Sequence, residues 1–139
     1  MSNFDAVMIG AGPAGEVASS RLPGQGLPTA LIERELVGGE CGYWACIPSK
    51  TLLRPTEARA EARRAPGLAE PRSNWAEIVE YRDYMIRNLD DSGAVNGYEE
   101  SGVSVFKGEA TIVAPGTIEV DGTRLTTERI IIATGSESV

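Results

Sequence analysis

The sequence contains no histidine, so it lacks the side chain that most often transfers protons near neutral pH. Lysine is scarce, with Lys50 and Lys107 the only two, and cysteine occurs only at Cys41 and Cys46. Structural zinc sites take four ligands, mostly cysteine and histidine. General acid–base catalysis by histidine and a zinc site built from cysteine and histidine are therefore both excluded within these 139 residues.

Positive charge is also scarce, because 20 acidic residues face 13 basic ones and the net charge is −7. Surfaces that bind nucleic acids are usually basic, so we expect no nucleic-acid partner. No apolar run approaches the length of a membrane-spanning helix, and the first residues lack the basic stretch of a signal peptide. We therefore expect a cytoplasmic protein without a membrane partner. In the cytoplasm a disulfide serves catalysis more often than structure.

The first part of the chain predicts a strand–helix–strand unit. The apolar runs 6–9 and 29–32 are typical of buried parallel strands. The segment 16–22 between them has helical composition and is followed by the helix-ending pair 23–24. Together these segments predict a βαβ unit and hence an α/β fold.

Three glycines in the turn after the first strand have the G-x-G-x-x-G spacing: Gly10, Gly12 and Gly15. The first permits a tight turn, the second lets the backbone approach a pyrophosphate, and the third lets helix and strand pack closely. Glu33 ends the second strand, where a carboxylate can bind ribose hydroxyls. This context predicts a dinucleotide site. The alternatives are a glycine-rich turn without a ligand and, for Glu33, a solvated strand end.

Two further helices are expected in the middle of the chain. Residues 48–64 have helical character, although Pro55 should bend or break the helix. Residues 65–73 are rich in Pro, Ala and Gly and predict a loop. Apolar side chains recur at helical spacing over 75–89, which predicts one amphipathic helix whose aromatic residues pack in the core.

The last part of the chain predicts β-structure. A strand is expected at 103–106, and turn signals at 115–116 and 121–122 predict hairpins. The apolar run within 128–133 predicts a fully buried strand. The strands joined by the hairpins are expected at 111–113, 118–120 and 124–126.

Cys41 and Cys46 lie five positions apart. In a regular helix that spacing corresponds to about 7.5 Å along the axis, whereas a disulfide needs Cα atoms within about 6.8 Å. A bond between them therefore requires a distorted turn, which Gly42 could supply. Closing so short a loop contributes only about 2 kcal/mol, which favours a redox role. The alternatives are inert core thiols and two ligands of a metal site.

Together these motifs resemble the class I pyridine-nucleotide–disulfide oxidoreductases, the family of dihydrolipoamide dehydrogenase, glutathione reductase and mercuric reductase. The run Gly-Gly-x-Cys-x-x-x-x-Cys-x-Pro-Ser-Lys is highly specific, and the resemblance extends to residues 108–110 and 133–136. It implies a Rossmann-like FAD-binding domain with a parallel sheet, crossover helices and a small antiparallel β-meander. Gly42 and Ala45 depart from the commoner redox run, so the resemblance does not identify the substrate.

The resemblance also implies a role for each matched residue. Cys46 would lie over the flavin as the charge-transfer thiol, and Cys41 would attack the disulfide substrate. Lys50 would adjust the charge near the reactive flavin nitrogen. The residues that it implies for FAD binding are Gly10, Gly12, Pro13, Ala14, Gly15, Glu33, Arg34, Gly38, Gly39, Lys50, Ala110, Ala133, Thr134, Gly135 and Ser136.

The family's chains are several-fold longer and contain a second glycine fingerprint for NAD(P)H, a Gly-Asp element and a dimerisation domain. We therefore expect residues 1–139 to be the N-terminal part of the FAD-binding domain of a homodimeric enzyme. Electrons would pass between NAD(P)H, FAD and the Cys41–Cys46 disulfide to a small-molecule or protein disulfide substrate. The alternatives are a non-catalytic nucleotide-binding module, whose dithiol senses redox state or binds a soft metal, and a fragment that binds nothing.

Overall fold

The computed structural model describes residues 2–136, which form two compact units. The first unit runs up to Gly39 and resumes at Asp91, and the second spans Glu40–Asp90. A short turn of 3-10 helix lies at Pro23–Gln25, and a turn with positive φ angles lies at Arg87–Leu89. In chain order, the strands and α-helices are β1 (Ser2–Phe4), β2 (Ala6–Ile9), α1 (Pro13–Arg21), β3 (Thr29–Glu33), α2 (Gly39–Tyr43), α3 (Cys46–Arg64), α4 (Trp75–Met85), α5 (Ser92–Glu100), β4 (Val103–Lys107), β5 (Ala110–Ala114), β6 (Thr117–Val120), β7 (Thr123–Thr127) and β8 (Ile130–Ile132).

The core of the first unit is a parallel sheet with the strand order β4-β3-β2-β8. Alternate side chains of a strand point to opposite faces. Met8 accordingly packs with residues of α1 and α5, whereas Val7 packs with residues of the β-meander. Because both faces are covered, the central strands are apolar at nearly every position. The predicted βαβ unit and the α/β fold class are confirmed.

A second sheet covers one face of the parallel sheet and has the order β1-β7-β6-β5. Strands β5, β6 and β7 pair antiparallel, as the two turn signals predict, and form the expected small β-meander. Strand β1 pairs parallel to β7 and was not predicted, because three residues carry too little pattern. Phe4 of β1 contacts Phe106 edge to face, with ring centroids 6.0 Å apart.

The prediction of a fully buried strand at 128–133 is wrong. The strand is limited to Ile130–Ile132, and the Ile132 side chain is 66% exposed. Strand β8 lies at the edge of its sheet, where among residues 2–136 it pairs with β2 alone. An apolar run indicates that a strand suits a buried position, but it does not reveal how many neighbours cover it.

Helix α5 has no counterpart among the sequence predictions. Its residues include Gly93, Asn96 and Gly97, which are poor helix formers. Packing compensates for this low propensity, because Val95 and Tyr98 lie against the helix-covered face of the parallel sheet.

In the second unit, α3 and α4 pack against each other, joined by the predicted loop. Pro55 does not break the helix, contrary to one of the two expected outcomes: α3 continues from Cys46 to Arg64. Proline removes one backbone hydrogen bond, but the turns on either side retain theirs. Arg54 also forms exposed ion pairs with Glu57 and Glu61, on the next two turns of the helix.

The prediction for residues 75–89 is wrong in two respects. Helix α4 ends at Met85, and the backbone of Arg87, Asn88 and Leu89 has positive φ angles of 54°, 50° and 63°, which a right-handed helix does not allow. The aromatic residues are not core residues either, since Tyr84 is 70% exposed and stacks with the exposed Tyr81. Helical spacing identifies an apolar face without showing what covers it.

The substitution Pro55→Ala should stabilise α3. It restores an N–H donor for the carbonyl of Thr51 and removes the crowding of that carbonyl by the proline ring. Interior proline costs about 3 kcal/mol relative to alanine, so we expect the free energy of unfolding to rise by about 1–3 kcal/mol. Urea denaturation measures the change. Pro66→Ala, in the loop after α3, is the matched control and should give no such gain; a destabilised P55A would show that the ring makes packing contacts that outweigh the lost hydrogen bond.

Candidate active site

Two of the three glycines in the turn between β2 and α1 are required by the fold itself. Gly10 has a φ of +102°, and a Cβ there would lie 2.3 Å from the carbonyl oxygen of Ala133. A Cβ at Gly15 would lie 1.9 Å from the carbonyl oxygen of Gly10. The close approaches bring Ala133 and Thr134 next to the turn, and the Ala133 N–H donates to the Ile9 carbonyl at 2.8 Å.

Gly12 differs from the other two because nothing lies within 4 Å of a Cβ built on it. It is the N-cap residue of α1, and no side chain caps the helix there. Pro13 and Ala14 form the exposed first turn. The N–H groups and the dipole of a helix N-terminus attract anions, so open space over a glycine at this position suits a phosphate group. The strand, turn and helix around the glycines are present as expected, and the dinucleotide site stays a prediction.

The carboxylate of Glu33 is buried and bound to the backbone of the turn. Its Oε2 accepts a hydrogen bond from the Ala11 N–H at 2.7 Å, and its Oε1 accepts one from the Glu35 N–H at 2.8 Å. The alternative of a solvated strand end is therefore wrong. An ionised carboxylate has about four acceptor positions, so this one retains capacity to accept ribose hydroxyls.

Gly38 and Gly39 pack directly on the glycine turn. The Gly38 N–H donates to the Ala11 carbonyl at 2.8 Å. Gly39 has a φ of +57°, and a Cβ there would lie 2.7 Å from the Cα of Gly12. Gly39 therefore has a structural reason to be glycine, in addition to the role that the resemblance implies.

The other predicted FAD ligands have no contact with the glycine turn among those described above. Arg34 is exposed and pairs with Glu35 at 3.6 Å. Ala110 begins β5 and packs in the core of the β-meander, which by itself accounts for a small apolar residue. Gly135 has a φ of +75°, and Ser136 is exposed at the end of the described chain.

Both cysteines are thiols and lie in the second unit on successive helices. Cys41 is half-buried in α2, and Cys46 is the exposed first residue of α3. The backbone leaves helical geometry at Ala45 (φ −120°, ψ −83°), while Gly42 remains inside α2. A distorted turn between the cysteines is thus present, but not at Gly42. Lys50 is exposed and follows Cys46 by one helical turn, so the two residues share a face of α3.

Sequence reasoning missed Asp91 and Lys107. Asp91 Oδ2 accepts hydrogen bonds from the Val37 N–H, at 2.8 Å, and from the Lys107 ammonium, which also donates to the carbonyl of Glu35. Burial tends to raise the pKa of Asp91, but the hydrogen bonds from Lys107 and Val37 outweigh it, and the pKa lies below its ordinary value. For Lys107 the sequence holds a signal, since it directly follows the predicted strand 103–106, as Glu33 follows the predicted strand 29–32.

Comparison with known proteins identifies the family. The sequence profile described as pyridine nucleotide-disulphide oxidoreductase matches residues 4–139, and the chain belongs to this family. Members use FAD and NAD(P)H, in agreement with the predicted cofactors, and the relatives are oxidoreductases. The family resemblance seen in the sequence is therefore confirmed.

Two curated relatives align with nearly the whole chain. A mercuric reductase from Bacillus cereus is 34% identical over 98% of the chain and 22% of its own length. A dihydrolipoyl dehydrogenase from Acholeplasma laidlawii is 31% identical over 98% of the chain and 42% of its own length. The chain thus spans less than half the length of either relative.

A solved structure has the same fold. The Cu(II) complex of the HOCl-induced flavoprotein disulfide reductase RclA from Escherichia coli matches with a TM-score of 0.81 and 24% identity, over 100% of this chain and 30% of that one. Over residues 2–136, no helix is long and apolar enough to span a membrane. No group of three or more cysteine and acidic side chains in this part of the chain is arranged to hold a metal ion.

Alanine substitutions at Gly12 and Gly15 should have different effects on stability. A methyl group at Gly12 meets open space, so Gly12→Ala should change the free energy of unfolding by less than about 0.5 kcal/mol. The methyl would occupy the space in which a pyrophosphate approaches, so affinity for FAD should fall about tenfold or more. Urea denaturation and FAD fluorescence titration measure the two effects. The control Gly15→Ala should lower the free energy of unfolding by about 1–3 kcal/mol; equal destabilisation by both substitutions would contradict the distinction.

The lowered pKa of Asp91 should make the stability of the fold depend on pH. A carboxyl whose pKa is lowered by folding stabilises the fold above its ordinary pKa of about 3.9, and this contribution is lost as the pH falls through the lowered value. We expect Asp91→Asn to lower the free energy of unfolding at pH 6, and the difference from wild type to shrink as the pH drops below about 3.9. Urea denaturation across this range tests the expectation, with Glu119→Gln, a half-buried carboxylate of the β-meander, as control. A difference that does not vary with pH would show that the charge of Asp91 is not the cause.

Proposed function

We propose that this chain binds FAD at the turn Gly10–Gly15 and belongs to an FAD-dependent dithiol/disulfide oxidoreductase. The observation that carries the proposal is the open space over Gly12 at the N-terminus of α1, bordered by Gly39. Gly10 and Gly15 cannot be replaced without backbone clashes, whereas Gly12 has room for a ligand. A turn that served the fold alone would have no reason to leave this space open.

Residues already in place can hold the parts of the dinucleotide. The N–H groups at the start of α1 suit the pyrophosphate, and the remaining acceptor positions of Glu33 suit the ribose hydroxyls. We extend the site to the other residues that the family resemblance implies, from Arg34 to Ser136, and to Lys50 on the flavin side. When bound, FAD supplies two-electron exchange between NAD(P)H and a disulfide.

Cys41 and Cys46 are the proposed redox pair of the enzyme. As a thiolate, Cys41 attacks one sulfur of the substrate disulfide, and the first substrate thiol leaves with a proton. Cys46 then attacks the Cys41 sulfur, which releases the second substrate thiol and closes a disulfide between the two cysteines. Two electrons have passed to the substrate, and two electrons and two protons restore the dithiol. Lys50 lies on the Cys46 face of α3, one helical turn away.

Family membership supports the assignment to the FAD-dependent oxidoreductases. The greater length of the relatives supports the proposal that the chain is part of a longer protein. We propose that residues 1–139 are the N-terminal part of an FAD-binding domain in a longer enzyme, because the chain spans 22% and 42% of the relatives described above. We propose further that this enzyme is homodimeric and cytoplasmic. The substrate class is a small-molecule or protein disulfide. That the relatives are oxidoreductases favours this role over a non-catalytic module whose dithiol only senses redox state or binds a soft metal.

A visible absorption spectrum with the two single cysteine variants tests the proposal. The chain mixed with FAD should show a bound-flavin spectrum, and mild reduction should add a long-wavelength band from contact between a thiolate and the flavin. Cys46→Ser should lose the band but keep the flavin. The matched variant Cys41→Ser should keep both, because its thiol is assigned to the substrate. A chain that does not bind FAD, or a band that survives in C46S and is lost in C41S, would contradict the assignment.

A further inference from the structure

We propose that Asp91 and Lys107 are positioning residues of the dinucleotide site, which hold the loop 34–38 in contact with the glycine turn. The inference rests on the proposed function only for the identity of the ligand. The contacts that carry it form a closed ring of hydrogen bonds that begins and ends at Ala11, the residue between Gly10 and Gly12.

The first half of the ring runs from the turn into the loop through Glu33. The Ala11 N–H donates to Glu33 Oε2 at 2.7 Å, and Glu33 Oε1 accepts from the Glu35 N–H at 2.8 Å. Glu33 thus connects the backbone of the turn with the start of the loop.

The second half of the ring runs through the two missed residues. Lys107 donates to the Glu35 carbonyl and to Asp91 Oδ2, and the same Oδ2 accepts from the Val37 N–H at 2.8 Å. One residue further on, the Gly38 N–H donates to the Ala11 carbonyl at 2.8 Å, which closes the ring. The Ala11 carbonyl is therefore bound directly to the loop that Asp91 and Lys107 hold, and the Ala11 N–H is linked to it through Glu33.

The position of these two side chains explains why they can fix a loop that has no regular structure of its own. Lys107 is the last residue of β4, and Asp91 is the N-cap of α5, so each is attached to a regular element of the first unit. Val37 is fully buried, and its N–H is satisfied by Asp91. A donor in a partly buried hydrogen bond is costly to leave without its acceptor, so loss of Asp91 should shift the loop, and Gly38 with it.

The ion pair contributes to local geometry more than to overall stability. The Lys107 side chain is partly exposed, and exposed ion pairs add little to the free energy of unfolding. Loss of Lys107 should therefore release the loop while the parallel sheet remains intact. This separation distinguishes a positioning role from a purely structural one.

The test compares Asp91→Asn and Lys107→Met with wild type by hydrogen exchange of individual amides in the chain without flavin. Exchange of the Val37 and Gly38 amides should accelerate about 10-fold, while the amides of β2 and β3 keep their rates. Affinity for FAD, measured by fluorescence titration, should fall about 5- to 10-fold in the same variants. Lys107→Arg keeps the charge and the donors and should restore both values.

Glu119→Gln is the matched control, because it breaks the exposed pair with Arg124 in the β-meander, whose Nε–Oε2 distance is 2.9 Å. It should change neither readout. Unchanged exchange at Val37 and Gly38 in both D91N and K107M would overturn the proposal, and so would equal acceleration throughout the parallel sheet. A wild-type chain that fails to bind FAD would refute the proposed function, whereas the exchange rates would still decide whether Asp91 and Lys107 hold the loop.

Discussion

The close approach of backbone to backbone at the end of β2 is the constraint on which the rest of the first unit depends. At Gly10 the chain leaves the strand so near to Ala133 that no side chain fits between them, and Gly15, in the first turn of α1, leaves no room for a side chain beside the Gly10 carbonyl. This contact joins the central strand, the helix and the segment after β8 without any side chain. Every group proposed to hold the dinucleotide in this unit is positioned relative to that point.

Polar side chains also fix the backbone near Gly10. The parallel strands β3 and β4 end side by side at Glu33 and Lys107, and both side chains act on the loop that leaves β3. Glu33 binds N–H groups, which suits a carboxylate, and Lys107 binds a carbonyl and a carboxylate, which suits an ammonium group. The chain has only two lysines, and one of them lies at this strand end.

The sequence predicted the elements whose pattern reflects their own surroundings and failed where the neighbours decide. The strands β2 and β3 are covered on both faces, and their apolar runs show it. The edge position of β8, the exposed aromatic residues of α4 and the packing-dependent helix α5 all depend on elements distant in the chain. The site divides in the same way. Glycine spacing predicts Gly10, Gly12 and Gly15, and the strand end predicts Glu33, whereas Asp91 acts through a contact with Val37, 54 positions away, that no local pattern records.

The three glycines of the turn, identical in the motif, have different physical reasons to be glycine. Steric exclusion by the protein's own backbone explains Gly10 and Gly15, so the fold would require them even in a protein that bound nothing. That reason does not extend to Gly12, since the structure leaves room for a side chain there and its φ of −76° suits any residue. A glycine that the fold does not need, at an uncapped helix N-terminus, is explained by a group from outside the chain. Of the three glycines, Gly12 is the one at which an added Cβ makes no close contact, and it is therefore the residue that points to a ligand.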